Sequence, residues 1–477
     1  MRSSDLVRVN VWLWQSLLAL LLVGCTEPNG PATPPPPLPP APMGGIPWSL
    51  QFASQSQAHD HGGFDMDASG NVLVWMHGEQ AIDFGPNSVN ATGSMDWFLG
   101  KFDIHGQLQW IRHFEANGLS LNIHATFDEG DPASIVVTIR TNGPMTLEDH
   151  GVVLEQPTSL ALMKLDADGE PLYIHDFAAG QDTPAYSFTR VRQDGHVFLG
   201  LTVFKNQTID FSSTPLSCTD DMCSILAELD TNGVPIHARM LPEPVDTVNA
   251  ITFGSGDDLV IAGQFSRGID FGDGPHPCTE SMSPYVVKLP SIMDPPIWTR
   301  AYCGYEEQWA TSATVDKEGN VYFAGEGMPP MDFGGGPLEA PWSGNWGAFV
   351  VKLAPDGSHL WSRIVDAGAA QKVALGPNGG VFVGGHFFPE SLRGSQVFLY
   401  VLDESSGKTT RARRALTPTE FAPFRLYTMS VNSNALMVGG ALYESNDSSK
   451  PAPFVDFGTG ALVNKGGQDL VVSVMLP

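Results

Sequence analysis

Positive charge is scarce in this chain of 477 residues, which has 25 lysine and arginine residues against 52 aspartate and glutamate residues. The net charge of −27 repels phosphate backbones, so nucleic acid is disfavoured as a partner. Charged residues make up only 16% of the chain, and no long stretch beyond the N-terminus repeats apolar residues at helical spacing. Helical folds are therefore disfavoured, whereas 51 glycines and 38 prolines favour short strands joined by turns.

Local motifs of several enzyme classes are also missing. The chain contains no glycine-rich phosphate loop and no nucleophile elbow. Asp-Phe-Gly recurs, but a protein kinase has this motif once, together with a strand lysine and a His-Arg-Asp loop that are not found here. We predict no cofactor and assign no catalytic residue. A catalytic site made of carboxylates that are distant in the sequence and brought together by the fold stays open as an alternative.

Long hydrophobic runs are missing except near the N-terminus. Val11–Val23 is apolar over 13 residues, which is short for a membrane-spanning helix and typical of a signal-peptide core. The run follows Arg2 and Arg8 and ends at Leu22–Cys25, which resembles a bacterial lipobox. The resemblance implies that residues 1–24 are removed and that Cys25 is acylated. An ordinary signal peptide with a chance cysteine is the alternative.

The segment after Cys25 cannot build a core. Thr26–Gly45 is rich in proline, which favours an extended spacer of about 3.1 Å per residue. Residues 25–45 are therefore predicted to be a membrane tether. Thr26, rather than aspartate, follows the cysteine. Similarity to lipoproteins of Gram-negative bacteria then implies the outer membrane, with the protein facing the periplasm or the cell surface and touching the membrane only through its lipid.

Seven similar units follow, and each contains a strand of β-branched and aromatic residues, in most units mixed with glycine or alanine. The strands start 55 to 63 residues apart, a period typical of a β-propeller with four-stranded blades. Asp-Gly and Gly-Asn pairs mark tight turns between the strands, and the fourth strand carries an aromatic residue in four units. The seven strands are Val72–His77, Ile135–Arg140, Val197–Thr202, Leu259–Gln264, Val321–Glu326, Val381–His386 and Leu436–Ala441.

The seventh unit has no fourth strand before Pro477. Ile46–Phe52 supplies a strand of the right type, with Trp48 in the position that Trp110 and Trp361 occupy in other units. We predict that this N-terminal strand completes the last blade, which would remove an exposed sheet edge and close the ring. The predicted fold is an all-β, seven-bladed propeller over residues 46–477, with no second domain.

The units resemble the bacterial seven-bladed β-propeller repeat family of secreted and surface proteins. The shared order is a hydrophobic-Asp-Phe-Gly box, a phenylalanine-rich strand, an Asp-Gly turn and Leu-x-Trp or a close variant. Ile82–Gly85 with Trp110, and Met331–Gly334 with Trp361, follow this order. The resemblance implies the ring but no activity, because propellers carry many unrelated functions.

A box repeated once per blade indicates a structural role. Its aspartate can accept backbone N–H bonds within the loop, and its phenylalanine can fill the space between blades. The recurring aspartates are Asp83, Asp210, Asp270, Asp332 and Asp456.

No metal site is predicted. Asp65–Gly70 places oxygen atoms at alternate positions, as calcium loops do, but no glutamate occupies the twelfth position. His59 and His61 lack a third ligand for zinc in the sequence. A hairpin turn and solvated loop histidines are the interpretations that we favour, and calcium binding in the blade turns stays open.

Four cysteines follow Cys25 and should oxidise outside the cytoplasm. Three pairings are possible. We favour Cys218–Cys223 and Cys278–Cys303, because each bridge then stays within one unit. A zinc site with four thiolates is the alternative.

The long loops between the second and third strands are predicted to lie on one face of the ring, opposite a face of tight turns. Binding sites concentrate on such loops. Aromatic and acidic residues on this loop-rich face suit a glycan or an envelope protein as partner, although the tryptophans could instead only hold the loops. The predicted binding residues are Trp342, Trp346, Trp309, Tyr305, Glu306 and Glu307.

We therefore predict a monomeric binding or scaffold module of the cell envelope. The alternative is a glycan lyase or hydrolase with its site at the loop-rich end of the central channel. A structural envelope protein without a small ligand is a third possibility. Carboxylates, histidine or tyrosine that converge in the channel would favour the enzyme.

Overall fold

The computed structural model describes residues 48–54, 62–78, 82–84, 88–89, 91, 96–116, 121–154, 159–178, 186–211, 215–242, 245–254, 256–278, 282–304, 306–340, 346–387, 396–414, 424–433, 435–443, 452, 454–457, 461–465 and 468–475. The chain divides into two units, Met1–Pro39 and Pro40–Pro477, and all described residues belong to the second. The predicted signal peptide, Cys25 and the tether lie outside the described residues. Within those residues, no helix has the length and hydropathy needed to span a membrane.

The described residues form 37 strands, numbered here in chain order. The first thirteen are β1 (Trp48–Ser54), β2 (Gly63–Met66), β3 (Val72–Gly78), β4 (Ile82–Asp83), β5 (Ser88–Val89), β6 (Asp96–Phe102), β7 (Leu108–Ala116), β8 (Leu121–Phe127), β9 (Ile135–Thr141), β10 (Met145–Leu147), β11 (Gly151–Leu154), β12 (Ser159–Leu165) and β13 (Pro171–Ala178). The next twelve are β14 (Tyr186–Val191), β15 (Val197–Phe204), β16 (Thr208–Asp210), β17 (Pro215–Ser217), β18 (Met222–Leu229), β19 (Pro235–Met240), β20 (Val245–Phe253), β21 (Leu259–Phe265), β22 (Gly268–Ile269), β23 (His276–Pro277), β24 (Ser283–Leu289) and β25 (Trp298–Ala301). The last twelve are β26 (Gln308–Val315), β27 (Val321–Gly327), β28 (Gly347–Leu353), β29 (His359–Leu375), β30 (Gly380–Phe387), β31 (Gln396–Asp403), β32 (Thr409–Arg414), β33 (Phe424–Val431), β34 (Leu436–Tyr443), β35 (Phe454–Val455), β36 (Leu462–Val463) and β37 (Gln468–Met475).

Antiparallel pairing joins the strands into six larger sheets. Each of the seven apolar strands predicted from the sequence is present as β3, β9, β15, β21, β27, β30 or β34. The strand that comes directly before each of these seven in the chain lines one common cavity, so the sheets surround a central axis. The chain is therefore an all-β propeller with four-stranded blades. The sheet orders are β1-β37-β34-β33, β11-β10-β7-β6-β3-β2, β13-β12-β9-β8, β14-β15-β18-β19, β20-β21-β24-β25 and β26-β27-β28-β29-β30-β31-β32.

The predicted seven four-stranded blades are not all present as separate sheets. Five sheets are single blades, and one of these gains β10 and β11 as extra outer strands. Where the sequence predicts two further blades, the structure has one seven-stranded sheet. The physical reason is β29, whose 17 residues stay extended from one predicted unit into the next. Its first part pairs with β28 up to Ala367, and its second part pairs with β30 from Gly368 onward.

The N-terminal strand lies in the same sheet as the C-terminal strand. β1 pairs antiparallel with β37, with Trp48 opposite Val474 and Ser54 opposite Gln468. Buried side chains of this sheet and of the sheet that contains β2 and β3 form one hydrophobic cluster, in which Phe52 packs 5.4 Å from Phe84 between ring centroids. The two sheets therefore share a core.

Neighbouring blades are joined by a repeated contact of the fourth strand. Its tryptophan donates an indole N–H bond to a carbonyl in the tight turn of the next blade. Trp48 bonds to Ile104 at 2.7 Å, and Trp110 bonds to Ala167 at 2.8 Å. The glycine in each turn has positive φ, and a Cβ on Gly106 would lie 2.8 Å from the Trp48 ring. The Asp-Gly turn and the tryptophan of the sequence motif are thus two halves of one interblade contact.

The Asp-Phe-Gly box has the structural role that the sequence predicts. Asp332 Oδ1 accepts the backbone N–H groups of Gly334 and Gly336, at 2.8 and 3.1 Å. Phe333 is buried and packs 4.6 Å from Phe349 between ring centroids. Several of these boxes begin two-stranded hairpins that the sequence analysis treats as loops, namely β4–β5, β16–β17, β22–β23 and β35–β36.

Candidate functional site

Only part of the predicted binding set is described. Trp309 and Trp346 come together, because their rings stack at 4.8 Å between centroids with 17° between planes. Glu306 and Glu307 are exposed on the segment that leads into β26. Tyr305 and Trp342 lie outside the described residues, as do His59 and His61.

The tryptophan stack lies at the loop-rich end of its sheet. Trp309 is the second residue of β26 and Trp346 immediately precedes β28. The Trp309 indole N–H points to the sulfur of Met282 at 3.1 Å, which fixes the orientation of the ring. Both tryptophans are half-buried. Part of their surface is therefore available to a partner, while the rest holds this end of the blade together.

An acidic side chain lies beside this stack. Glu326 on β27 pairs directly with Trp309 on β26, so the two side chains project from the same face of the sheet. Burial raises the pKa of Glu326 to about 7. A carboxyl group in this state is partly protonated near neutral pH and can donate a proton. Glu326 is not apparent from the sequence, because a lone glutamate in an apolar strand carries no motif.

Both favoured disulfides are present. Cys218 and Cys223 are bridged across a Cα–Cα distance of 5.7 Å, and Cys278 and Cys303 across 5.4 Å. The second bridge ties the end of the β22–β23 hairpin to the segment that leads to Trp309. It therefore links two segments at the end of the sheet where Trp309 lies.

The other candidate site is the central cavity, with a volume of about 650 Å³. Strands β2, β8, β14, β20, β26, β29 and β33 all contribute to its wall. Charged residues are present on three of these strands, namely Asp65, Arg190 and Lys372. Glu129, in the turn after β8, also lines the cavity and is exposed, so the cavity reaches solvent at the tight-turn end. A second cavity of about 270 Å³ shares Arg190 and Glu129 with it.

Asp65 connects two blades at the cavity wall. Its Oδ2 accepts the Thr126 hydroxyl at 2.8 Å and the Phe127 N–H at 2.9 Å. Burial raises the pKa of Asp65, and the nearby charge of Arg190 and these hydrogen bonds only partly offset that effect. The calcium-like segment is a turn, as we favoured. Asp67 Oδ1 accepts the N–H groups of Ser69 and Asn71 within it.

Lys372 and His124 are perturbed in the same cavity. Burial, together with the charge of Arg190, lowers the pKa of Lys372 to about 8. Burial, Arg190 and Lys372 lower the pKa of His124 to about 3, so its imidazole is neutral. Its ring packs edge-on against Trp75 at 5.0 Å between centroids. In the sequence, these two residues are marked only by being ionisable side chains in the first strand of a unit.

One group of carboxylates has the spacing of a metal site. Asp316, Glu318 and Glu404 place oxygen atoms within 4.8 Å of one another. The Lys352 ammonium lies 3.3 Å from Glu404 and 3.8 Å from Asp316. The Tyr322 hydroxyl lies 3.1 Å from Asp316 and 3.2 Å from Glu404 and shares its one hydrogen between them. The Lys352 ammonium therefore already supplies the positive charge that a metal ion would bring to these carboxylates.

No family model matches the chain, and no curated protein matches it. Solved structures with a similar fold include the β-propeller domain of the Trilobed protease from Pyrococcus furiosus, at 11% identity and a TM-score of 0.42, covering 87% of this chain and 96% of that one. The Dos1 propeller matches at 11% identity and a TM-score of 0.43, covering 90% and 95%. Polysaccharide lyase Uly1 matches at 9% identity and a TM-score of 0.44, covering 85% and 88%. Likenesses this distant carry no information about activity.

Proposed function

We propose that the protein is a cell-envelope binding module whose partner docks at the loop-rich end of the propeller. The observation that carries this proposal is the Trp309–Trp346 stack, in which the rings are held against each other and against Met282. A preformed aromatic surface loses little side-chain freedom on binding, which favours affinity for sugar rings or apolar protein side chains. Exposed Glu306 and Glu307 nearby can accept hydrogen bonds from sugar hydroxyls.

The envelope location rests on the lipobox-like Leu22–Cys25 and on the proline-rich residues that follow. Acylated Cys25 would anchor the chain in the outer membrane, and the tether would hold the propeller away from the lipid. The test is metabolic labelling with a palmitate analogue. The wild-type chain should be labelled and sediment with membranes, whereas Cys25→Ser should be unlabelled and released. Equal labelling of both chains would refute the anchor.

The ring proposed for this module has seven blades of the bacterial repeat type. The seven-stranded sheet is counted as two blades that share the continuous strand β29, since its two parts pair with different partners. Seven strands in the cavity wall support this count. Closure by β1 is supported by the bond from Trp48 to Ile104, and by the bond from Asn432 Nδ2 to the carbonyl of Asp67 at 2.9 Å.

A glycan lyase or hydrolase is the second candidate function. Glu326 favours it, because a carboxyl with a pKa of about 7 can serve as a general acid near neutral pH. Its register with Trp309 would place that acid beside a sugar stacked on the aromatic surface. In this function Glu326 would donate a proton, or position a group that does, and the tryptophans would bind substrate.

A single screen tests both functions. The full-length chain, purified in mild detergent, is incubated with glycan and envelope-protein panels while lyase and hydrolase products are assayed. Binding without product supports the module, and product formation supports the enzyme. Trp309→Ala and Trp346→Ala should each weaken binding by about tenfold. The control Leu172→Ala, which changes an exposed residue on an outer strand, should bind as the wild type does. Unchanged affinity in both tryptophan variants would refute the proposed surface.

A further inference from the structure

We propose a second binding site at the centre of the ring, where Arg190 and Lys372 form a receptor for a small ligand that carries a carboxylate, sulfate or phosphate group. The site is separate from the loop-rich end and does not depend on the function proposed there.

The two cations reach the same cavity from different parts of the chain. Arg190 belongs to β14 and Lys372 to the second part of β29, and both line the cavity of about 650 Å³. Among the residues that the structure describes, no carboxylate lies within ion-pair distance of either side chain. The Arg190 guanidinium lies instead 5.0 Å from the centroid of the Phe188 ring. Both side chains are partly withdrawn from water at the cavity wall, and a positive charge in such a place without a bonded anion is costly unless a ligand supplies one.

The carboxylates near this pair, Asp65 and Glu129, offset its charge only in part. Asp65 uses its Oδ2 to accept hydrogen bonds from Thr126 and Phe127, and burial raises its pKa, which weakens its negative charge. Glu129 lies at the rim and is exposed as a residue, but desolvation of its carboxyl raises its pKa, and the charge of Arg190 only partly offsets that effect. The centre of the cavity therefore keeps an excess of positive charge.

A further group in the wall suits an anion. The Nδ1 atom of His124 is buried and has no hydrogen-bond partner among the described residues. The imidazole is neutral, and its Nε2 atom, which is not enclosed in this way, can carry the ring hydrogen and donate it to a ligand oxygen. Arg190, Lys372 and His124 thus provide donors from three different strands. Such a convergent set of donors around an open volume is typical of an oxyanion site.

Size and charge restrict the ligand class. A cavity of about 650 Å³ accommodates a molecule no larger than an ordinary metabolite or short sugar. The chain as a whole carries a net charge of −27, which repels polyanions from the outer surface. A compact molecule with one or two anionic groups is the ligand that fits both conditions.

The test is isothermal titration calorimetry of the full-length chain in mild detergent at neutral pH. The titrants are sodium sulfate, sodium phosphate and sodium glucuronate, with glucose as the uncharged control. We expect at least one anion to bind and glucose not to bind. Lys372→Met should weaken binding of that anion by about tenfold or more, and Lys372→Arg should restore most of the affinity. The matched control Lys408→Met, at an exposed lysine before β32, should leave the affinity unchanged.

A second measurement needs no variant. Sulfate keeps its charge across this pH range, whereas Lys372 loses its proton as the pH rises through about 8. His124 stays neutral over this range, because its lowered pKa of about 3 lies far below it, so it does not contribute to the change. Sulfate affinity of the wild-type chain should therefore fall between pH 7 and pH 9. The proposal is overturned if none of the three anions binds, if Lys372→Met binds as the wild type does, or if sulfate affinity is constant over this pH range.

Discussion

The indole N–H of Trp298 donates a 2.9 Å hydrogen bond to the carbonyl of Pro355, which lies 57 positions later, in the turn between β28 and β29 of the next sheet. The same bond recurs from Trp48, Trp110 and Trp361 to later tight turns. Arg300 strengthens it by donating from Nε to the carbonyl of Gly357 at 2.7 Å. The tryptophan that repeats at the period of the blades therefore marks a contact between blades.

Trp298→Phe should lower the free energy of unfolding by about 1–2 kcal/mol, because it removes the bond and leaves the Pro355 carbonyl without this donor. Denaturant unfolding measures the effect. The control is Trp346→Phe, which shortens a half-buried indole that makes no such interblade bond among the described contacts. Equal losses in the two variants would contradict a specific role for the bond.

Gly357→Ala should destabilise the protein by about 2 kcal/mol or more, for two reasons. Gly357 has a φ of 77°, and an added Cβ would lie 2.7 Å from the Trp298 ring. Gly256 is the matched control, because it also lies in a tight turn but a Cβ there would meet nothing within 4 Å. Gly256→Ala should change the midpoint of thermal unfolding little, and a comparable loss at both glycines would contradict the argument.

Asp332→Ala should lower the free energy of unfolding by about 1–2 kcal/mol, since it leaves the N–H groups of Gly334 and Gly336 without their acceptor. Asp332→Asn keeps the Oδ1 acceptor and should lose less. The control Glu339→Ala removes an exposed carboxylate in the same loop. If Asp332→Ala and Glu339→Ala were equally stable, the box would not hold its loop in the way described.

Glu326→Gln should make stability less dependent on pH. Burial raises the folded-state pKa from 4.5 to about 7, so the folded protein holds a proton that the unfolded chain releases. Stability should therefore fall as the pH rises from about 4.5 to 7 and then level off. The variant should match the wild type near pH 4 and exceed it by about 1–3 kcal/mol near pH 8. Thermal unfolding at both pH values measures this, and a constant difference between the two proteins would show that Glu326 is not the group that titrates.

Much of the blade architecture could be predicted from local pattern. The apolar strands, the Asp-Gly turns and Trp110 are set by residues a few positions apart, and β9 and β21 appear within one residue of their predicted ends. The disulfide Cys278–Cys303 could be favoured because both cysteines fall within one unit. Two features could not be predicted in this way. Nothing local shows that β29 continues through two units, and hairpins of two or three residues per strand are too short to give a periodic signal.

The candidate site was only partly predictable, for the same reason. Trp309 and Trp346 could be selected as aromatic residues near long loops, but their stacking depends on where β26 and β28 pair with β27. Glu326 gains its raised pKa from burial that only the packed sheet produces. Arg190 and Lys372 are 182 positions apart in the chain, and no spacing rule connects them.

The sequence by itself determined the strand class, the turn positions and the repeat, because strand propensity, glycine conformations and repeat length act over short distances. It favoured one of three cysteine pairings without determining it. The tertiary structure alone decided which charges meet in the central cavity and that β29 runs through two units. A ring brings residues from all its units to one axis, so contacts at the axis depend on where every strand of the ring lies. The positions of all the strands, rather than any local pattern, therefore set the distances between charges, and these distances determine how strongly the charges interact and shift one another's pKa.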